Sequence, residues 1–550
     1  MGKYSMTQST YIESLESITS EELYDGLMLQ GMFTEKLPNV FTMKEFCKCV
    51  NDEQIINDSK FSNFAFNYIP YESMRDINVP RLLGVPNPFG YHNLCKFLSE
   101  NWDSIKKHFR DKTSAQAYKV SQIHIRKVKD TKKVFQMNFP NEGINSELNI
   151  ELMSGKRYMV KTDISSCFPS MYSHALAWAI VGKDVAKQNR NSNDWFNNLD
   201  YFTRNLKNQE THGFLIGPHA SNILSEIILT AIDYELKKYS FLRYIDDYTC
   251  YVESYEQAQA FILDLSKCLR DFGLFINHKK TKIVELPDTL SERWKLELNP
   301  INLTLTGKKL SLNQVLSYID KAILLTQNNG GKSSPINYAI KIISSYRESI
   351  QDKTKEYYIK RVLNLALLRP YLVPILYDYL IEPFNVDGQQ LSNFVKDLYK
   401  IGITQSNFEA CIYALYYAIV FDIRIESTEL SINSIESDNC FFMLFAYLYL
   451  KQIKDSKQIL ILENQANTLL ENSKKAQLNQ LPADGKVHSS KKLDYPIDMD
   501  PYWIFIYEVL PISDLPYPWN ELKLNNNKIS FIKPIIEWNP SNKSNLFEYN

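Results

Sequence analysis

The spacing of apolar positions divides the chain into three stretches. Residues 1–90 mix short polar and apolar segments and end in a Pro/Gly cluster (Pro80, Gly84, Pro86, Pro88, Gly90) that predicts a loop. Residues 91–290 alternate helical and strand periods. A strand is expected over 157–164. An amphipathic helix is expected over 221–238, with Ile223, Leu224, Ile227, Ile228, Ala231 and Ile232 on one side. A hairpin is expected over 241–252, with Asp246-Asp247 at its turn. Beyond 290 the pattern becomes a series of helices near 312–327, 335–350, 354–369, 388–402, 406–421, 437–453 and 456–471. Paired helices of this size suggest an α-solenoid, though without a crisp repeat period. The polar run 472–492 reads as a mobile linker, and the aromatic segment 502–509 as packing back on the helices.

Composition narrows the class. With 44% apolar and 23% charged residues the chain is a folded globular protein, neither disordered nor collagen-like. Its 35 Tyr and 29 Phe against 17 Gly favour long helices over a turn-rich all-β design. The 62 Lys+Arg nearly balance 63 Asp+Glu, which argues against coating nucleic acid by bulk charge. A local basic patch remains. Residues 104–133 hold ten Lys/Arg, among them Lys106, Lys107, Arg126, Lys127 and Lys129, against two acids, Asp111 and Asp130. The alternation I-H-I-R-K-V-K at 123–129 would let a strand present Arg126, Lys127 and Lys129 to phosphate; the plainer reading is a solvated basic face. Eight scattered cysteines read as reduced thiols in a cytoplasmic protein. The polar, acid-bearing first 22 residues predict no signal peptide. The longest apolar runs, 410–421 and 440–450, fall short of the ~20 residues a bilayer span needs and read as core helices, so no membrane is expected.

The middle stretch carries the candidate chemistry. Asp163 ends one strand pattern, and Asp246-Asp247 sit in Y-I-D-D at a turn. Carboxylates at neighbouring strand ends are hard oxygen ligands for Mg²⁺. Two such ions ~4 Å apart can serve phosphoryl transfer. The plainer reading of Y-I-D-D is an ordinary turn, where Asp is common.

The surrounding order of motifs is more specific. D-I-S-S-C-F (163–168), T-H-G-F-L-I-G-P-H-A-S (211–221), Y-I-D-D (244–247) and L-F-I-N-H-K-K-T-K (274–282) resemble, in order, four motifs of the reverse transcriptase palm. The resemblance implies an α/β fingers–palm unit of the right-hand polymerase type over 91–290, with 1–90 starting the fingers. An all-α, HEAT-like domain would follow over 291–471, then the linker 472–492 and a C-terminal segment 493–550 packed on the helices. It implies metal-binding roles for Asp163, Asp246, Asp247 and the carbonyl of Ile164, with two Mg²⁺ ions as cofactors and Mn²⁺ as a substitute. Phe168 would be the gate under the sugar, favouring dNTPs. Gly213, Ile216, Gly217 and Ser221 would lie under the nucleotide and template base, where small residues allow close approach and a helix N-terminus favours anions. Lys280 would be the lysine near the pyrophosphate and general acid. Arg126 and Lys127 would clasp the triphosphate, with Lys106, Lys107, Lys129, His174, Lys183 and Lys187 as further nucleic-acid contacts.

One position departs from the usual pattern: Ile216 stands where most reverse transcriptases have Gln before the glycine. That change, the stretch around His174, Trp178, Gly182, Lys183 and Lys187, the opening P-N-P-F-G-Y (86–91) and the closing W-I-F-I-Y-E (503–508) resemble the bacterial abortive-infection (Abi) and defence-associated branch. The resemblance implies an antiphage enzyme that joins dNTPs without a template, primes from a tyrosine hydroxyl so that single-stranded DNA stays attached, and forms a homo-oligomer. Two alternatives stay open. One is a polymerase copying a dedicated non-coding RNA; the other is a non-catalytic nucleic-acid-binding scaffold.

Overall fold

The computed structural model describes residues 11–51, 64–75, 79–129, 131–137, 142–189, 191, 194–289, 292–299, 309–426, 428–479, 499–524 and 529–538. At its centre is a four-stranded antiparallel sheet in the order β4 (Ser240–Tyr244), β5 (Asp247–Val252), β3 (Tyr158–Asp163), β6 (Lys282–Glu285). A separate ribbon pairs β1 (Tyr68–Ser73) with β2 (Arg81–Pro86). Successive side chains of a strand point to opposite faces, and the packing follows. Val160, Phe241 and Cys250 join the main core, with the helices His219–Glu235 and Tyr255–Asp271. Met159, Leu242 and Tyr251 form a small cluster on the other face, with Leu152 from the helix Glu142–Met153. Asp163 shares the parity of Met159, and Asp247 that of Tyr251. The two carboxylates therefore end the strands on the thinly covered face, Asp247 exposed and Asp163 buried.

The C-terminal region is helical: Leu312–Asn328, Ser334–Ser345, Asp352–Leu368, Gly388–Thr404, Phe408–Val420, Leu430–Glu436, Cys440–Ile453 and Ser456–Asn479. Short 3₁₀ and π turns fill 370–381. Phe408–Val420 and Cys440–Ile453 are buried almost all round, as expected of helices apolar on every side. No helix among the described residues is long and apolar enough to cross a membrane. The aromatic segment Trp503–Val509 packs on Cys440–Ile453 and Ser456–Asn479. It also meets the N-terminal part: Trp503 stands edge-on to Phe531, which touches Phe46. All eight cysteines are free thiols.

Four expectations change. The Pro/Gly cluster is not a loop: residues 81–86 form β2, and Pro88 opens the helix Pro88–Glu100, where Asn87 caps Phe89 N at 3.0 Å. Proline is tolerated at the first turn of a helix, where its missing N–H has no partner to lose. The helix His219–Glu235 is not amphipathic; residues 223–233 are buried on every side, because the helices Trp102–Thr113, Ala175–Val181 and Tyr255–Asp271 pack around it and Tyr11 bonds Glu226. No strand forms over 123–129, although Arg126 N donates to Val134 O (2.9 Å) and Val128 N to Lys133 O (3.1 Å) in a hairpin-like turn. The helix Ser456–Asn479 runs into the stretch expected to be a linker; residues 480–492 lie outside the described ones.

Candidate active site

β3 and β5 are antiparallel and place Asp163 directly opposite Asp247. Opposed residues in such a pair have Cα atoms ~5 Å apart and side chains on one face. Asp246 follows Ile245 in a two-residue turn closed by the Tyr244–Asp247 pair. Ile245 has φ +58°. That region suits glycine, and a β-branched residue held there costs about 1–3 kcal/mol. The turn is tied to β3, because Ile164 donates its N–H to Asp246 O at 3.0 Å. Lys280 comes in from a neighbouring turn. Asn277 N bonds Asp163 O at 2.8 Å, and Thr281 and Thr162 share a hydroxyl contact of 2.7 Å. The Lys280 ammonium lies 2.5 Å from Asp163 Oδ2.

The charges at this site are unbalanced. Asp163 is buried, and its Oδ1 has no hydrogen-bond partner among the described residues. Burial pushes the Asp246 carboxyl up, the nearby Asp163 adds to this, and Arg81 and Lys280 oppose it. Asp247 is pushed up to about 6, first because the surrounding walls strip water from it, then by Asp246 and Asp163. One edge of Asp247 lies in solvent. Three carboxylates at one end of the sheet, two of them held up by burial and by their neighbours and the third with an orphaned oxygen, are a donor set suited to Mg²⁺. Among the described residues, no three His, Cys, Asp or Glu side chains are drawn together tightly enough to hold an ion as they stand. Lys280 occupies Asp163 and would have to move aside.

The loop expected under the nucleotide adjoins this centre. Phe168 is half-buried, and its carbonyl accepts from Phe214 N at 2.8 Å. Gly213 N bonds Met171 O at 2.8 Å. Gly213 has φ +86°, and a Cβ there would sit 2.9 Å from Pro169 O, so this crossing needs glycine. Gly217, at φ +125°, abuts Thr34. Ile216 is half-buried, and its carbonyl accepts from Gly84 N on β2 at 2.9 Å. Ser221 is buried in the first turn of the helix His219–Glu235.

The basic candidates are placed differently. Arg126 turns onto the carbonyls of His124 (3.2 Å) and Gln136 (3.3 Å). Lys127 pairs with Glu22 at 2.6 Å, and Lys106 with Asp103 (2.9 Å) and Glu16 (3.4 Å). Lys107 and Lys129 are exposed. His174 bonds Asp200 at 2.7 Å; Lys183 lies over the Trp178 ring and donates to Asp271 O; Lys187 is exposed. None of these basic residues is brought to the carboxylates by a contact, because local acids and carbonyls engage the groups that could reach.

Three residues missed in the sequence do act there. Arg81, on β2, is close enough to Asp246 for their charges to interact, and Arg75 across the ribbon is close to Arg81. Pro70 within β1 and the Pro/Gly cluster around β2 disguised the ribbon. Lys332, between two C-terminal helices, lowers the Asp247 carboxyl. Only the fold brings it there. Arg243, two residues before the turn, is fully buried.

Residues 101–346 match the family model described as "Reverse transcriptase (RNA-dependent DNA polymerase)". That span reaches past the sheet into the helices Leu312–Asn328 and Ser334–Ser345. No curated protein matches the chain. Among solved structures, apo telomerase from Candida Tropicalis truncated from its C-terminal domain aligns with 16% identity and TM-score 0.26, over 41% of this chain and 51% of that one. Apo telomerase from the same organism aligns with 12% identity and TM-score 0.29, over 71% of each chain. This chain thus spans about half the length of the first of these structures. Residues 101–346 thus carry the match to a reverse transcriptase domain.

Proposed function

We propose that the chain polymerises dNTPs, with Asp163, Asp246, Asp247 and the carbonyl of Ile164 holding two Mg²⁺ ions. The observation that carries this reading is the cross-strand opposition of Asp163 and Asp247, beside a turn that carries Asp246. Bound there, the ions would lower the barrier to attack by a 3′-hydroxyl on an α-phosphate and stabilise the departing pyrophosphate. The chain's own groups orient and neutralise. Lys280, released from Asp163, is within reach to donate a proton to the leaving phosphate. Phe168 closes the space beside the sugar, and the 213–217 loop supports the base. Arg81 supplies positive charge on the fingers ribbon. The biological setting we propose is antiphage defence, with untemplated synthesis started on a tyrosine hydroxyl and a homo-oligomeric, HEAT-like helical scaffold. The motif-level likeness to the Abi branch and the apolar Ile216 support this setting.

The test incubates purified protein with each labelled dNTP and Mg²⁺, without added template, and resolves the product before and after protease. Label that protease releases supports tyrosine priming. Label that depends on a co-purified RNA favours templated copying. The Asp246→Ala/Asp247→Ala variant should lose incorporation by about 10³-fold or more, on the scale of removing a principal charge-stabilising group. Unchanged incorporation in that variant would remove the polymerase assignment of the site.

A further inference from the structure

Beneath the Tyr244–Asp247 turn lies a buried ionic network that the mechanism above does not use. Arg243 is fully buried, and its guanidinium makes four hydrogen bonds and a further ion-pair contact. Nε bonds Asp233 Oδ2 at 2.8 Å, and Nη2 reaches the same oxygen at 2.7 Å. Nη1 and Nη2 fork onto Glu226 at 3.1 and 3.2 Å. Nη1 also donates to the carbonyl of Ile245 at 3.1 Å. Tyr248 OH completes Asp233 at 3.1 Å, and Tyr11 OH completes Glu226 at 3.0 Å. Four contacts thus anchor Arg243 to the helix His219–Glu235, and one holds the residue whose backbone sits at φ +58°.

We propose that Arg243 is a positioning residue: its hydrogen bond to the Ile245 carbonyl holds the strained turn in the conformation that aims Asp246 and Asp247 at Asp163. The chemistry fits arginine alone. A lysine carries one charge but three donors, and cannot fork onto two carboxylates while also reaching the carbonyl. Neither Tyr11 nor Tyr248 bonds that carbonyl, so they stabilise the network without aiming the turn. The inference rests on the reading of the three aspartates as a divalent-ion site.

The test compares full-length wild type, Arg243→Lys and Tyr248→Phe. Mn²⁺ binding is followed by electron paramagnetic resonance without nucleotide. Half-saturating Mg²⁺, kcat and KM for dNTP are measured separately, with thermal melts for each protein. Residues behind metal ligands typically tune affinity 10–100-fold. Arg243→Lys should therefore weaken Mn²⁺ binding and raise half-saturating Mg²⁺ by about tenfold or more, lower kcat, and leave KM for dNTP within about twofold. Tyr248→Phe should lower Tm while leaving Mn²⁺ affinity within about twofold. If Arg243→Lys does not fold, Arg243→Lys/Glu226→Gln, which balances one buried cation against one carboxylate, is measured instead with the same expectations. Wild-type Mn²⁺ affinity in the lysine variant, or an equal shift in Tyr248→Phe, overturns the positioning role. A wild-type protein that binds Mn²⁺ but never incorporates dNTP overturns the polymerase reading instead.

Discussion

At the scale of single residues, the site is a conflict of charges set by where the strands end. Asp163 and Asp247 face each other because β3 and β5 are in register, and burial, Asp246 and Asp163 hold the Asp247 carboxyl up. A carboxyl whose folded pKa is raised contributes stability below its unfolded pKa, and loses it as pH rises through the folded value. For Asp247 that window runs from the ordinary carboxylate range up to about 6. In EDTA, the Tm of Asp247→Asn should therefore gain on wild type as pH rises from about 5 to about 7. Saturating Mg²⁺ should bring wild type back toward the variant; a difference that does not change with pH would refute the charge conflict. Phe168 makes a separate prediction. Its half-buried ring beside the 213–217 loop should exclude a 2′-hydroxyl. Phe168→Ala should raise ribonucleotide incorporation relative to dNTP by about 10–100-fold, the range in which a pocket discriminates by one small group. An unchanged ratio in competition assays would remove the gate assignment.

At the scale of elements, the β1–β2 ribbon is held by the C-terminal helices. Glu409, buried at the start of the helix Phe408–Val420, accepts from Tyr71 OH (2.8 Å), Ser73 Oγ (3.1 Å) and Met74 N (2.7 Å). It thereby fixes β1 on the side from which β2 carries Arg81 toward Asp246. Glu409→Ala would leave Ser73 Oγ and Met74 N without this acceptor, and Tyr71 OH with only its 3.5 Å contact to Lys36 O. It should cost about 3 kcal/mol in urea unfolding, and Glu409→Gln less. A loss under about 1 kcal/mol would mean that water replaces the carboxylate. The Glu409→Ala variant should also lower dNTP incorporation, measured as kcat/KM, since β2 carries Arg81 beside Asp246.

At the scale of the whole molecule, distant parts of the chain neutralise or complete one another. Phe41 stands edge-on to Phe441 and Phe445, and Lys533 bonds Asn39 Oδ1 at 2.7 Å. Asp500 accepts from Asn67 N at 3.0 Å. The basic stretch 104–133 is likewise answered by the N-terminal helices. Lys106 and Arg110 pair with Glu16, Lys127 with Glu22, Lys132 with Asp25 and Lys133 with Glu35. Five of the ten basic residues are therefore paired with acids within the protein. Single-stranded DNA binding should show a log K against log [salt] slope no steeper than about −4, where ten free cations would give about −7. A slope near −7 would show that these pairs open on binding.

Much of this protein was legible in the order of its residues. The hairpin at 240–252, the strand ending in Asp163 and the long C-terminal helices follow from periods of two and 3.6, which local backbone geometry enforces whatever lies around them. The order of motifs pointed to Asp163, Asp246-Asp247 and Lys280, which lie together at one end of the sheet. The tertiary structure decided the rest. The ribbon β1–β2 was hidden, since its prolines look like loop signals until a partner strand is present. The basic stretch looked free, since its acids lie some hundred residues earlier in the chain. Arg243 looked like any charged residue on a strand, and only burial against Glu226 and Asp233 shows what it holds. Charges and contacts from distant segments cannot be read from local spacing, because they depend on which surfaces the folded chain brings together.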